Sequence, residues 1–113
     1  MGRRDDLIAT YAEDLREKCG IEPDMALLDR VTAACGPLIY DPVAATVDPT
    51  DRADLERIGR NFLMRKLGLD EGPDLIEAIE TVLEMYGPSE PAKKRVVVYY
   101  MLVKHFGRDR DFP

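Results

Sequence analysis

One run of the sequence, Val96–Phe106, is too apolar for burial on a single side. At about 100° per residue, apolar side chains fill one broad face of a helix, and Val97 and Met101 place further apolar groups on the opposite side. A helix that is apolar nearly all round is normally enclosed by other elements. The run is shorter than the ~20 residues that a bilayer span requires, and Lys104 and His105 interrupt it. It therefore predicts a helix at the centre of the fold.

A strand is the alternative for this run, because Val and Tyr favour strands and a doubly buried strand is apolar on both faces. The other segments of the chain have helical spacing, and none is a convincing second strand. A lone strand would leave its backbone donors and acceptors unpaired. We therefore expect a helix that begins at Ser89-Glu90-Pro91, with Pro in the first turn, and stops at Gly107.

Four other segments show the apolar spacing of amphipathic helices, and each is followed by a glycine. Glycine readily takes the left-handed conformation in which helices commonly end. The short Gly87-Pro88 link makes the fourth segment an expected antiparallel neighbour of the last helix. The four predicted helices are Arg4–Cys19, Pro23–Cys35, Pro49–Leu67 and Pro73–Tyr86.

The third predicted helix and the segment before it carry further signals. Asp48 followed by Pro49 is typical of an N-cap and first helical position. Gly59 costs up to about 1 kcal/mol relative to Ala inside a helix, so we expect a close helix crossing there. Gly36–Thr50 has no helical period but carries apolar residues, which predicts a short helical turn and a loop over the core. Loops of this length are often functional, so this loop is the best loop candidate for a binding role.

Length and charge limit the classes of function. The chain has 113 residues, a net charge of −6 and a pI of about 4.8. We expect a single domain over residues 1–113, with a loose tail from about residue 108. The acidic balance disfavours non-specific binding to nucleic acid or to acidic membranes. Met1-Gly2-Arg3-Arg4 opens directly into a charged helix and is unlike a signal peptide, so we expect a cytoplasmic protein with reduced thiols at Cys19 and Cys35.

Three groups of residues, spread over nearly the whole chain, form a recognisable set. They are Arg4-Asp5-Asp6-Leu7-Ile8 with Tyr11, Asn61-Phe62-Leu63 with Lys66-Leu67-Gly68-Leu69, and Val97-Val98-Tyr99-Tyr100 with Lys104-His105-Phe106-Gly107. Together they resemble a family of small bacterial proteins that is catalogued only as a domain of unknown function. The resemblance implies a bacterial, cytoplasmic and mainly helical protein. It implies no activity, cofactor or catalytic residue.

The reactive side chains do not form a catalytic or metal-binding pattern. Each cysteine is the last residue of a predicted helix, just before a helix-ending glycine, where the partial negative charge opposes thiolate formation. His105 needs a partner and a cleft to act as an acid or base, and a role as a helix-capping residue is the simpler interpretation. Glu77, Glu80 and Glu84 share one helix face, but no Glu-x-x-His motif accompanies them. We predict no catalytic residue, no metal site and no cofactor.

A basic run at the start of the last helix leaves a binding function open. Cations at Lys93, Lys94 and Arg95 oppose the helix dipole, so something should compensate them. Ion pairs with Glu84 and Glu90 are one solution. The other is contact with an anion, a nucleic acid or a partner. A helix-turn-helix that binds DNA is disfavoured by the net charge.

The Val97 and Met101 side of the last helix is a second candidate contact surface. Enclosure by the other helices would make these residues core. An open side would form an apolar patch rimmed by Lys93, Lys104 and His105, which is typical of a protein interface. The sequence thus predicts an all-α bundle of about five helices packed around a hydrophobic C-terminal helix. The predicted function is a non-enzymatic protein-interaction module that forms a homodimer through that helix or binds an unknown partner. The alternative is nucleic-acid or anion binding through the basic run.

Overall fold

The apolar run near the carboxyl end forms the buried helix α5 (Arg95–His105), which confirms the central prediction. It contacts α1 (Arg3–Glu17), α2 (Met25–Cys35) and α4 (Pro73–Tyr86). These elements come from a computed structural model that describes residues 2–88, 90–110 and 112. The predicted all-α class with about five helices is confirmed. The buried residues of α5 are Val96, Val97, Val98, Tyr100, Met101, Leu102 and Val103.

The remaining elements are shorter than these four helices. They are a 3-10 helix (Gly36–Tyr40), strand β1 (Thr46–Val47), α3 (Arg52–Ile58), a π-helix (Gly59–Met64) and strand β2 (Lys93–Lys94). The 3-10 helix is the helical turn that was predicted after α2. The strands pair antiparallel, with Thr46 opposite Lys94. This ladder fixes the loop before α3 to the start of α5.

Most helix ends lie where the local sequence predicts them. α4 has the predicted bounds, and α1 and α2 differ from prediction by at most two residues at either end. Gly68 has a φ of +71°, and the Leu69 N–H donates to the Leu63 carbonyl at 3.0 Å. The hydrogen bond spans from residue i to residue i−6, and the left-handed Gly68 confirms the predicted end of the helical segment at this glycine.

The third helix begins later than predicted. α3 starts at Arg52, and Asp51 rather than Asp48 is its N-cap, because Asp51 Oδ1 accepts two backbone N–H groups of the first turn at 3.1 and 3.3 Å. The Asp48 carboxylate instead accepts the Thr50 N–H at 2.9 Å and the Thr50 hydroxyl at 2.6 Å. The prediction was wrong because both Asp48 and Asp51 are suitable N-cap residues. Asp48 instead uses its carboxylate to stabilise the turn at Thr50, and Asp51 caps the helix.

The explanation predicted for Gly59 is also wrong. A Cβ at Gly59 would meet no atom within 4 Å outside its own helix backbone and chain neighbours, so no second helix crosses closely there. Gly59 instead begins the π-helix, in which the Arg65 N–H donates to the Arg60 carbonyl at 3.2 Å and the Leu67 N–H to the Phe62 carbonyl at 3.0 Å. Such i→i−5 turns occur frequently at functional sites.

The two ends of the last helix differ from prediction. The predicted start at Ser89-Glu90-Pro91 is wrong for α5, which begins at Arg95, and Ser89 itself lies outside the described residues. The preceding residues are extended because they pair in β2. At the other end, the expected loose tail does not hold at Phe112. This residue is buried, and its ring centroid lies 6.1 Å from that of Phe62. No helix among the described residues is long and apolar enough to cross a membrane.

Candidate functional site

A half-open cleft of about 890 Å³ lies between the loop after α2, the α3 and π-helix segment, and the first turn of α5. Its lining includes much of the Gly36–Thr50 segment that the sequence marked as a candidate binding loop. The binding role of that loop stays a prediction. The apolar floor includes Cys35, Val47, Ile58, Phe62 and Tyr99, and the charged lining is Asp48, Asp51, Asp54, Arg57, Lys66 and Arg95.

Arg95 is the best-anchored charge in the cleft. Its Nε donates to the Ala44 carbonyl at 2.8 Å, and its Nη2 donates to the Thr46 carbonyl at 3.0 Å. Nη2 also lies 3.2 Å from both carboxylate oxygens of Asp54. Burial alone would lower the pKa of Arg95, but Tyr99 and Asp54 beside it raise the pKa on balance. Arg95 is therefore a fixed charge that joins three segments of the cleft wall.

An aromatic stack forms the cleft floor. The rings of Phe62 and Tyr99 are stacked, with centroids 3.9 Å apart and an interplanar angle of 18°. Burial raises the pKa of the Tyr99 hydroxyl, and neighbouring Arg95 opposes that rise. The π-helix and α5 each supply one ring, so the stack holds these two elements together at the centre of the cleft.

The cysteines are free thiols, as expected, and neither is activated. Burial raises the pKa of Cys35, in the cleft floor, to about 12, although Arg95 and Lys66 lower it in part. Burial, followed by the nearby Asp14 charge, raises the pKa of Cys19 to about 11. Because the thiolate is the reactive form, both groups are weak nucleophiles at neutral pH.

The predicted basic run does not form one surface. Lys93 is buried, and its Nζ donates to the backbone carbonyl of Glu90 at 2.6 Å. Lys94 Nζ lies 3.2 Å from Asp14 Oδ2, while Arg95 points into the cleft. Pairing within the chain was one of the two predicted solutions. The predicted carboxylate partners were wrong, because β2 directs Lys94 toward α1 and not toward α4.

The other predicted contact residues are dispersed as well. Val97 and Met101 are 0% and 2% exposed, so they are enclosed and offer no surface to a partner in this conformation. Lys104 is exposed, and its Nζ lies 3.4 Å from Asp109 Oδ2. His105 is exposed beside the edge of the Phe106 ring, at 5.0 Å between centroids. Of the seven predicted contact residues, Arg95 alone lines the cleft.

Several cleft residues were not identified from the sequence. Asp54 is a carboxylate that is 7% exposed and lies one helical turn before buried Ile58. A carboxylate on the apolar stripe of an amphipathic helix was the signal that could have revealed it. Asn61 and Lys66 gave no such signal, because the π-helix changes which side chains face the cleft. Within the described part of the chain, no three His, Cys, Asp or Glu side chains are grouped to hold a metal ion.

The fold and cleft define a small, mainly helical protein with a cleft of mixed polar and apolar lining. The chain belongs to the family described as "Protein of unknown function (DUF2853)", whose model matches residues 10–110. The predicted resemblance to a domain of unknown function is thereby confirmed. Among curated proteins, none matches the chain.

Proposed function

We propose that the protein is a non-enzymatic interaction module whose cleft binds an extended segment of a partner protein. The observation that carries this proposal is the combination of an apolar floor with charges of both signs in one 890 Å³ cleft. Protein interfaces commonly place large apolar groups in a pocket and surround them with a polar rim. In the Phe62–Tyr99 stack, Phe62 is buried and Tyr99 is partly exposed, so Tyr99 is the ring that an anchoring side chain can contact.

The distribution of reactive groups supports a binding role over catalysis. Cys35 is the thiol in the cleft, and its raised pKa keeps it protonated. His105 lies at the opposite end of α5 from Arg95, a separation of about 15 Å at 1.5 Å per residue. Asp54 is paired with Arg95 and Arg57, so its carboxylate is not free to act as a base.

The cleft also replaces α5 as the proposed contact surface. The sequence left open both enclosure of Val97 and Met101 and self-association through them, but a partner could reach these buried residues only if neighbouring helices separated. In contrast, the cleft is open, and exposed Val43 lies at its edge with 82% of its surface accessible. A partner segment can enter without any rearrangement of the core.

A random-peptide display library, presented to the full-length protein, tests this function. We expect enrichment of peptides that contain a large apolar side chain and bind the wild type. Asn61→Trp should abolish their binding, because Asn61 is exposed and lines the cleft, so a tryptophan there fills it. Arg60→Trp is the matched control, since Arg60 is exposed in the same π-helix and does not line the cleft.

Two results of the library experiment would contradict binding in the cleft. Failure to enrich any peptide over a blank surface would remove the proposal. Equal loss of binding in the Asn61→Trp and Arg60→Trp variants would place the contact outside the cleft. Sedimentation of the wild type at about 100 µM separates a foreign partner from a second copy, because a dimer that Asn61→Trp dissociates would make the chain its own partner.

A further inference from the structure

A second, smaller cavity of about 280 Å³ continues the cleft toward α2. Its lining is Arg30, Ala33, Ala34, Lys66 and Phe112. Ala34 and Lys66 line both cavities, so the two adjoin, and together they are called the groove. The groove thus runs from the β1 loop, past the aromatic floor, to Arg30.

The far end of this groove holds two cations and no lining carboxylate among the described residues. Arg30 Nε is buried and has no hydrogen-bond partner in the part of the chain that the structure describes. An unsatisfied buried donor is unfavourable, and more so when it is charged. Within residues 2–88, 90–110 and 112, Lys66 also forms no ion pair. Arg30 as a whole is only partly buried and Lys66 is exposed, so among the described residues both side chains can contact an anion in this cavity.

The charges in the groove are distributed unequally along its length. Asp48 and Asp51 lie at the loop end, and Asp54 is neutralised there by Arg95. Positive charge dominates toward Lys66, which partly opposes the burial that raises the pKa of Cys35 in the floor. Phe62 lines the larger cleft and Phe112 the smaller cavity, with their ring centroids 6.1 Å apart. A ligand that matches this order carries an apolar or aromatic body and an anionic end.

We infer that the Arg30–Lys66 end of the groove binds a carboxylate attached to an apolar or aromatic body. Arginine presents paired N–H donors that fit the two oxygens of a carboxylate, and Lys66 adds a mobile ammonium group. This inference rests on the proposed function for its source of carboxylate. In the partner segment, an acidic residue next to a large apolar residue would supply both groups.

Two small probes of the same shape test the inference on the full chain. 3-Phenylpropionate carries the carboxylate, and 3-phenylpropionamide replaces it with a neutral amide. In ¹H–¹⁵N NMR titrations, the acid should shift the backbone amides of Arg30, Ala34 and Lys66 in a saturable way. The amide should bind at least about tenfold more weakly, because it forms no charge-assisted pair.

Three variants locate the anion-binding end. Lys66→Gln and Arg30→Gln should each weaken binding of 3-phenylpropionate by about fivefold or more, since each removes one charge-assisted contact. Arg60→Gln removes an exposed cation of the same segment that lies outside both cavities, so its affinity should be unchanged. Lys66 is exposed, so Lys66→Gln keeps the test valid even if Arg30→Gln fails to fold.

Three results would overturn the inference. They are equal affinities for the acid and the amide, equal losses for Lys66→Gln and Arg60→Gln, and phenyl phosphate binding more than tenfold tighter than 3-phenylpropionate. Other results separate failure of the proposed interaction function from failure of the anion site. If no display peptide binds but the acid binds through Lys66, the anion site stands without a protein partner. If peptides bind in the cleft with no preference for acidic residues, the interaction module stands without the anion site.

Discussion

Arg95 and Asp54 form a nearly buried ion pair, with Nη2 3.2 Å from both carboxylate oxygens and side-chain exposures of 12% and 10%. The pair joins the first turn of α5 to α3, and the same guanidinium also donates to two carbonyls of the β1 loop. The three walls of the cleft therefore meet at one side chain. The shape of the cleft depends on the ionisation and integrity of this pair.

Loss of Asp54 should destabilise the protein strongly. Asp54→Ala leaves the Arg95 charge buried and without its carboxylate, which typically costs about 3–5 kcal/mol. Asp29→Ala is the matched control, because Asp29 pairs with Arg4 at 2.9 Å on the surface, where such a pair contributes about 0–1 kcal/mol. Urea unfolding gives both free energies. Similar losses in the two variants would mean that the Asp54–Arg95 pair is not desolvated.

The central position of α5 leads to a second prediction. Val103 is fully buried, so Val103→Asp places an unpaired charge in the core and should prevent stable folding. Val43→Asp makes the same chemical change at a residue that is 82% exposed, and it should alter stability by no more than about 0.5 kcal/mol. Circular dichroism melting curves compare the two. A cooperative melt of Val103→Asp near that of the wild type would contradict the central position of α5.

The helices were predictable because their signals are local. α4 begins at Pro73 and is followed by Gly87, and both residues act through backbone chemistry that the sequence displays directly. The enclosed core position of α5 followed from its lack of a polar face. In contrast, each strand of the β1–β2 ladder has two residues, which is too short for an alternating pattern to be visible.

The candidate site was far less predictable, since it depends on tertiary packing. Lys94 and Arg95 are adjacent in sequence but pair with Asp14 and Asp54, on α1 and α3. No periodicity relates these residues. The predicted contact set assumed that the basic run began a helix, whereas Lys93 and Lys94 belong to a strand that separates their side chains. The cleft itself depends on a π-helix for which no sequence signal was recognised.

Two glycines in the middle of the chain should respond in opposite directions to alanine. Gly59 has a φ of −56° and open space around the position of a Cβ, so Gly59→Ala should stabilise the protein by about 0.4–1 kcal/mol. Gly68 has a φ of +71°, where a Cβ is strained, so Gly68→Ala should destabilise it by about 1–2 kcal/mol. Chemical denaturation measures both. Stabilisation by both substitutions, or by neither, would contradict these backbone conformations.

The buried thiol of Cys35 makes stability sensitive to alkaline pH. Its pKa is about 12 in the folded protein against 9.0 for an ordinary thiol, so above pH 9 the unfolded chain loses this proton first. The contribution of the protonated Cys35 thiol to the free energy of unfolding is complete below pH 9. It is lost as pH rises toward 12, with a loss of about 1 kcal/mol by pH 10. Urea unfolding between pH 8 and 10 measures this slope. Cys35→Ala should show a shallower decline, because Cys35 no longer contributes to it. Parallel declines in wild type and variant would mean that Cys35 ionises as easily in the folded protein as in the unfolded chain.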